Sequence, residues 1–85
     1  MGDVLVAFRV MPKDVNVNID SLVEKIRAAI KPDRVQPKPI AFGIVAIEVI
    51  KFIPDAEGEL EKVENKLRTV ENVGEVEITE VTRTI

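Results

Sequence analysis

Four segments of the chain have the apolar pattern of β-strands. Val4–Met11 is a run rich in β-branched residues that ends at Pro12, and Ile44–Ile53 is the most β-prone stretch of the sequence. Val35–Ala41 is a poorer candidate because it contains two prolines, and Glu75–Thr79 alternates polar and apolar residues as a half-exposed strand does. After Thr79 the alternation breaks, so the remaining residues are expected to form a bulge or to leave the sheet.

The apolar residues between the first two strands recur at helical spacing. They run from Ile19 to Ile30 and stop at Lys31-Pro32, where proline prevents the helix from continuing. Asn18 or Asp20 is the expected N-cap, and Ser21-x-x-Glu24 resembles a capping box. The pattern predicts the first helix over this segment.

A second helix is predicted after the third strand. Pro54-Asp55 opens it, with Asp55 as the candidate cap, and Glu57 and Glu59 place negative charge beside the positive end of the helix dipole. Asn72-Val73-Gly74 is expected to end it. Its predicted buried stripe consists of Leu60, Val63, Leu67 and Val70.

The predicted order β-α-β-β-α-β is that of a ferredoxin-like α+β fold. Right-handed crossovers give an antiparallel sheet in the order four, one, three, two, with both helices on one face. Pro37 and Pro39 remove two backbone donors from the same side of the second strand, which is tolerated only at an edge. The most apolar strands, the first and third, fall in the centre, so composition and topology agree on one domain over residues 1–85.

Composition removes several classes of function. The chain has no cysteine and no histidine, which excludes disulfides, thiolate and imidazole metal sites, and histidine acid/base chemistry. Its net charge of −3 gives no field that would attract nucleic acid, and no apolar run approaches the roughly 20 residues that span a bilayer. The N-terminus lacks the basic and apolar regions of a signal peptide. We therefore expect a cytoplasmic protein that acts without nucleic acid, membrane or cofactor.

The remaining polar residues have ordinary structural explanations. Four acidic residues in the second helix, Glu57, Glu59, Glu61 and Glu64, alternate with basic ones and lack the spacing of a calcium loop, so they are interpreted as a solvated face. The four glycines are scattered singly, without the pattern of a phosphate-binding loop. Catalysis and nucleotide binding by this chain alone are not predicted.

Two apolar surfaces are candidates for binding a partner. If the helices cover Val4, Val6, Phe8 and Val10, the open face of the sheet carries Leu5, Ala7, Arg9 and Met11, with Ile50 and Phe52 from the third strand. Phe42, at the Phe42-Gly43 turn, either folds back onto the core or protrudes as an aromatic anchor for a partner's pocket. The sequence leaves these two alternatives open.

Three segments resemble the elongation factor 1-beta family, the nucleotide exchange partners of elongation factor 1-alpha. Lys38-Pro39-Ile40-Ala41-Phe42-Gly43-Ile44-Val45-Ala46-Ile47-Glu48-Val49 is similar to the central motif of that family. Arg9-Val10-Met11-Pro12 resembles the end of its first strand, and Asn72-Val73-Gly74-Glu75-Val76 its entry into the last. Element order and length agree over essentially the whole chain. The resemblance is to the short archaeal type, which is the exchange domain alone.

The resemblance implies a protein that docks on elongation factor 1-alpha, in its GDP-bound and nucleotide-free forms, and accelerates replacement of GDP by GTP. The implied contacts are the hairpin residues Pro39, Ile40, Ala41, Phe42 and Gly43 and the C-terminal residues Arg83, Thr84 and Ile85. Eukaryotic members have a lysine next to the C-terminal residue that reaches toward the Mg²⁺ and phosphate site. Thr84 stands at that place here, and the neighbouring Arg83 has a planar guanidinium instead of a compact ammonium.

Other functions of the same fold are alternatives. A small-molecule-sensing or oligomeric regulatory domain would form a stable homodimer and have no effect on a G-protein. A small enzyme such as an acylphosphatase would need an anion-binding loop with an arginine and a placed asparagine, and the sequence has no such loop. Metal-carrying relatives of the fold use a cysteine pair, which is absent from this chain.

Overall fold

The computed structural model describes residues 2–83. They form six elements in the predicted order: β1 Asp3–Pro12, α1 Ile19–Ile30, β2 Arg34–Ala41, β3 Ile44–Pro54, α2 Glu59–Arg68 and β4 Val73–Arg83. The four strands make one antiparallel sheet in the order β2-β3-β1-β4, which is the predicted order read from the other edge. The predicted ferredoxin-like α+β fold is confirmed.

The core lies between the two helices and one face of the sheet. Alternate residues of β1 are buried on this face, as predicted, and the helices contribute two stripes of aliphatic side chains. Among the described residues no polar or charged side chain is buried, so packing of apolar groups supplies the stability of the interior. The fully buried side chains of largest volume are Phe8, Leu22, Ile26, Ile47, Ile53 and Leu67.

The first helix begins as one of the two proposed caps requires. Asn18 is the N-cap, and its side-chain oxygen accepts a hydrogen bond of 2.9 Å from the backbone N–H of Ser21. Ser21 therefore lies inside the first turn, so the prediction of a Ser21-x-x-Glu24 capping box is wrong, and Asp20 is a helical residue. At the other end Lys31 adopts the left-handed conformation, with φ of 48°, just before Pro32.

The second helix is shorter than predicted at both ends. It begins at Glu59 after Gly58, whose φ of 83° makes it the N-cap without a side-chain hydrogen bond, so Asp55 is not the cap. It ends at Arg68, and the turn that follows brings Asn72 into the left-handed region before β4. The predicted buried stripe is confirmed, because Val63 and Leu67 are buried and Leu60 and Val70 pack against the core.

The last strand extends beyond the predicted Thr79 to Arg83. Phe8 pairs with Ile78 and Ala7 with Glu80, so Thr79 is the extra residue of a β-bulge. The predicted irregularity is thus a bulge within the sheet. It changes which side chains face the helices, because Val76 and Ile78 do so before it, whereas Val81, paired with Val6, does so after it.

Neither helix in the described part of the chain is long and apolar enough to cross a membrane.

Candidate partner-binding site

The hairpin between β2 and β3 presents an aromatic ring to solvent. Phe42 and Gly43 are its two loop residues, with φ of 51° and 76°, and Ala41 pairs with Ile44 across them. Two consecutive positive φ values are the signature of a type I′ turn, whose twist matches that of the flanking strands. Phe42 is 99% exposed. Of the two alternatives from the sequence, the structure supports the protruding ring.

The backbone at Phe42 is unusual for its residue type. A positive φ brings Cβ close to the following carbonyl oxygen, and the first loop position of a type I′ turn ordinarily carries asparagine, aspartate or glycine. The neighbouring Gly43 is the residue that such a turn favours, and a Cβ there would meet no atom within 4 Å. The conformation of Phe42 is therefore unfavourable for the fold, and within residues 2–83 no burial of the ring offsets it.

The strand that leads into this turn is an edge strand. Pro37 pairs with Ile47 and Pro39 with Val45, and a register shift between Pro39 and Ala41 leaves Ile40 as the irregular residue. The prolines lack backbone donors, which discourages another strand from adding to this edge. Pro39, Ile40, Ala41, Phe42 and Gly43 are all exposed, so the structure brings the five predicted hairpin residues together on one accessible projection.

A shallow groove runs along the open face beside Ile40. It has a volume of about 260 Å³ and is lined by Arg9, Lys38, Ile40, Ala46 and Glu48 among others. Arg9 forms an ion pair of 3.1 Å with Glu77, and Lys38 lies 3.8 Å from Glu48. Residues that pair across two strands lie on the same face of the sheet, and Leu5 pairs with Phe52 and Ala7 with Ile50. The predicted composition of the open face is therefore confirmed.

Sequence reasoning missed a second apolar residue at the hairpin end of the molecule. Val15, in the loop after β1, is 78% exposed, and a pocket of about 110 Å³ is lined by Val15, Val17, Gly43 and Ile44 together with neighbouring residues. Val15 gives no signal of its own in the sequence, since one valine in a polar loop is common. Its nearness to Gly43 follows from the sheet order, which places the end of β1 beside the start of β3.

The C-terminal candidate lies at the other end of the sheet. Arg83 pairs with Val4, and Val4 with Ile53, whereas the hairpin tip precedes Ile44. Nine residues of β3 separate the two ends, which is about 30 Å at 3.3 Å per residue. The structure therefore does not bring Arg83 together with Phe42. Thr84 and Ile85 lie outside the described residues.

Arg83 is exposed but has a carboxylate beside it. Its side chain is 77% exposed, and one guanidinium nitrogen lies 3.5 Å from a carboxylate oxygen of Asp55. The bulge at Thr79 makes this contact possible, since it turns the end of β4 toward the helix side, where Asp55 precedes α2. Asp55, predicted as a helix cap, is instead the ion-pair partner of the last described residue.

The side chains of Lys25 and Glu71 form an ion pair at the surface. The Glu71 carboxylate accepts a hydrogen bond of 2.8 Å from the Lys25 ammonium, and that bond and the charge of Lys25 lower the pKa of Glu71 below its usual value. Within residues 2–83 no cluster of acidic side chains has the arrangement of a metal site.

These features define a ferredoxin-like α+β protein in which the most exposed large hydrophobic side chain among residues 2–83 is an aromatic ring at a two-residue turn. Residues 5–84 match the family described as the EF-1 guanine nucleotide exchange domain. The chain belongs to this family, which groups the nucleotide exchange domains of translation elongation factors.

Several archaeal proteins named elongation factor 1-beta are similar to this chain over nearly their whole length. The protein of Methanothermobacter thermautotrophicus is 37% identical and that of Staphylothermus marinus 40% identical, each with 98% of both chains covered. The protein of Methanospirillum hungatei is 39% identical, over 96% of this chain and 98% of its own. The predicted resemblance to elongation factor 1-beta of the archaeal type is confirmed.

Proposed function

We propose that this protein promotes the exchange of GDP for GTP on elongation factor 1-alpha in the cytoplasm, by docking on that G-protein and weakening its nucleotide and Mg²⁺ site. It acts as a non-catalytic binding partner over residues 1–85, and it engages both the GDP-bound and the nucleotide-free forms. Membership of the exchange-domain family and the similarity to proteins named elongation factor 1-beta support this assignment.

The observation that carries the docking proposal is the conformation of Phe42. A fully exposed ring at positive φ is disfavoured both by solvation and by the backbone, and neither cost is offset by contacts within the chain. An aromatic side chain that enters a partner's pocket contributes strongly to binding. The two-residue turn fixes the backbone at Phe42 before the encounter, so ordering of the loop costs little conformational entropy on docking.

Exchange by such a protein requires no covalent step. A protein that binds the nucleotide-free state more tightly than the GDP-bound state must, by thermodynamic linkage, weaken GDP binding by the same factor. Phe42 and its neighbours Pro39, Ile40, Ala41 and Gly43 would make the contact that favours the open state. The role of the hairpin is then to stabilise one arrangement of the partner.

The C-terminal residues Arg83, Thr84 and Ile85 form the second proposed contact. A single partner that touches both ends must extend about 30 Å along the domain, since the two contacts lie at opposite ends of β3. Arg83 would act on the phosphate or Mg²⁺ site after exchanging its Asp55 partner for groups of the G-protein. A guanidinium suits the oxygens of a phosphate, and this role would replace that of the lysine in eukaryotic relatives.

The test is the release of a fluorescent GDP analogue from elongation factor 1-alpha, followed at several Mg²⁺ concentrations. The unmodified protein should accelerate release strongly, and Phe42→Ala should remove most of that acceleration while leaving the free energy of unfolding nearly unchanged. Arg83→Ala should reduce the acceleration less, with an effect that varies with the Mg²⁺ concentration because the contact lies near the metal.

Phe52→Ala is the matched control. It removes the same atoms from an exposed phenylalanine, 43% accessible, that lies toward the opposite end of the open face from the hairpin. If Phe52→Ala and Phe42→Ala were equally damaging, the interface would be centred on the open face and the hairpin proposal would be wrong. Release rates that stay unchanged at saturating unmodified protein would overturn the exchange function and favour a regulatory domain.

A further inference from the structure

The groove between the two helices concentrates positive charge in an acidic protein. Two adjoining pockets, of about 380 and 430 Å³, share Ala29 and Lys66 as lining residues. Together they are lined by five lysines and two glutamates, out of 12 basic and 15 acidic residues in the chain. The groove therefore has a formal charge of +3 and the rest of the chain −6. We call it the lysine groove: Lys25, Lys31, Lys51, Lys62 and Lys66.

Only two of these lysines have an acidic partner among residues 2–83. The Lys25 ammonium lies 2.8 Å from Glu71 and the Lys62 ammonium 3.5 Å from Glu59. Lys31, Lys51 and Lys66 have no carboxylate within ion-pair distance in the described part of the chain, and all three line the 380 Å³ pocket. Three lysines without a carboxylate partner among residues 2–83 thus line one concavity.

Lys51 has a structural role that also orients it. It projects from the helix side of β3, and its ammonium donates a hydrogen bond of 3.2 Å to the backbone carbonyl of Lys31 at the end of α1. This bond covers a carbonyl that would otherwise repel an anion, and it leaves two further N–H donors on the ammonium. Within residues 2–83, the ammonium groups of Lys31 and Lys66 donate no hydrogen bond to a backbone carbonyl, so no such bond holds them in place.

The wall of the pocket strengthens the field of these charges. Ile30, Ile53, Pro54 and Val63 line it beside the lysines. Apolar walls of low dielectric focus the field of nearby charges into a cleft, and 380 Å³ lies within the range of small-molecule sites. The same positive charge spread over an open surface would be screened by solvent and salt.

The donors suit a compact anion of high charge such as phosphate. Every cation in the groove is a lysine, and a lysine ammonium binds phosphate as a point charge. Ammonium groups on flexible stems can arrange their donors around a tetrahedral anion with two or more negative charges. The groove contains no aromatic side chain on which a base could stack, and the −6 charge elsewhere would repel a long polyanion.

We propose that the 380 Å³ pocket is a binding site for a compact phosphate-bearing ligand, held by Lys31, Lys51 and Lys66, with Lys62 able to turn from Glu59 toward it. The phosphate is recognised without a glycine-rich loop and without contacts to a base. The site lies on the helix side of the sheet and is independent of the hairpin, so its occupancy does not depend on the proposed exchange function.

The experiment is a titration of the ¹⁵N-labelled full chain with inorganic phosphate and with pyrophosphate, at constant ionic strength maintained with sodium chloride. We expect saturable shifts of amides around Lys31, Lys51 and Lys62–Lys66, with pyrophosphate the tighter ligand because it carries more charge. The thermal midpoint should rise with pyrophosphate over the matched chloride, because a ligand that binds only the folded state stabilises it.

Charge-matched variants separate a site from general electrostatics. Lys66→Gln and Lys31→Asn should each weaken pyrophosphate binding about three- to fivefold, the range expected for a partly exposed charge contact. Asparagine is chosen at Lys31 because it tolerates the left-handed backbone there. Lys38→Gln removes the same charge from the open face and should leave the affinity unchanged.

Two outcomes would overturn the proposal. Shifts that spread over all surface lysines without saturating, or equal losses for Lys38→Gln and Lys66→Gln, would mean that no site exists. A ten-nucleotide RNA serves as a further arm. If it bound the groove more tightly per phosphate than pyrophosphate and lost that affinity in Lys66→Gln, the phosphate chemistry would be supported and the restriction to a compact ligand would be wrong.

Discussion

Two phenylalanines in this chain have opposite surroundings. Phe8, in the centre of β1, is completely buried beneath both helices, whereas Phe42, at the tip of the β2–β3 hairpin, is 99% exposed. The first ring stabilises the fold and makes no contact with solvent. The second contributes nothing to the interior and lies on a backbone that disfavours it. If Phe42 binds the partner as proposed, stability and binding depend on separate regions and should respond to different substitutions.

The largest expected effect is at the buried ring. Phe8→Ala removes a fully enclosed side chain and should lower the free energy of unfolding by about 3–5 kcal/mol, through lost transfer energy and the cavity left behind. A domain of this size has only about 5–10 kcal/mol in total, so urea unfolding should shift markedly. A loss below about 1 kcal/mol would mean that the core around Phe8 is not packed as described.

Gly74 and Gly43 differ in how closely other atoms surround them. A Cβ at Gly74 would lie 2.7 Å from the Lys13 Cα, while at Gly43 it would meet nothing within 4 Å. Gly74→Ala should therefore destabilise the chain by about 1–3 kcal/mol through backbone displacement. Gly43→Ala should cost about 1 kcal/mol, from the positive φ alone. Denaturant titration of both variants measures the difference, and equal effects would contradict the close approach at Gly74.

Replacing the exposed ring should separate stability from binding most directly. Asparagine is favoured at the first loop position of a type I′ turn, so Phe42→Asn should stabilise the fold by about 0.5–1 kcal/mol while abolishing acceleration of GDP release. Thermal unfolding and the release assay on the same sample test both parts. A destabilised Phe42→Asn variant would mean that the ring makes contacts with its own chain.

The smallest expected effect concerns the surface ion pair of Lys25 and Glu71. The pKa of Glu71 is lower in the folded state than in the unfolded one. The ion pair therefore stabilises the folded protein at pH values above the unfolded pKa, about 4.3. This stabilisation is lost as the pH falls through the folded pKa. Lys25→Met should return the pKa of Glu71 to its ordinary value in a carboxyl NMR titration. An unchanged pKa would show that the hydrogen bond does not persist in solution.

Much of the fold could be predicted because local signals agreed with the global arrangement. The helical spacing from Ile19 to Ile30, the β-branched runs of β1 and β3, and the edge prolines Pro37 and Pro39 each indicate one element or position. Helix ends were predicted less well. Asp55 is as good a cap by type as Asn18, but the N-cap of α2 is Gly58, in the left-handed region, three residues later.

The candidate site was predicted in part. The hairpin residues were proposed from the family resemblance, and a tight turn was predicted at Phe42-Gly43. The direction of the ring did not follow, since an apolar residue at a turn can fold inward. Val15 and the lysine groove were missed because their residues are far apart in the sequence and adjacent only after the strands are ordered and the helices packed.

By itself, the sequence determined the element types, the central and edge strands, the absence of histidine and cysteine chemistry, and the family. These depend on composition and on short-range periodicity, which the chain carries before it folds. Only the tertiary structure decided that Phe42 protrudes, that the bulge at Thr79 turns Arg83 toward Asp55, and that three lysines share one pocket. Each of these depends on contacts between residues distant along the chain, and the packing of the whole domain sets those distances.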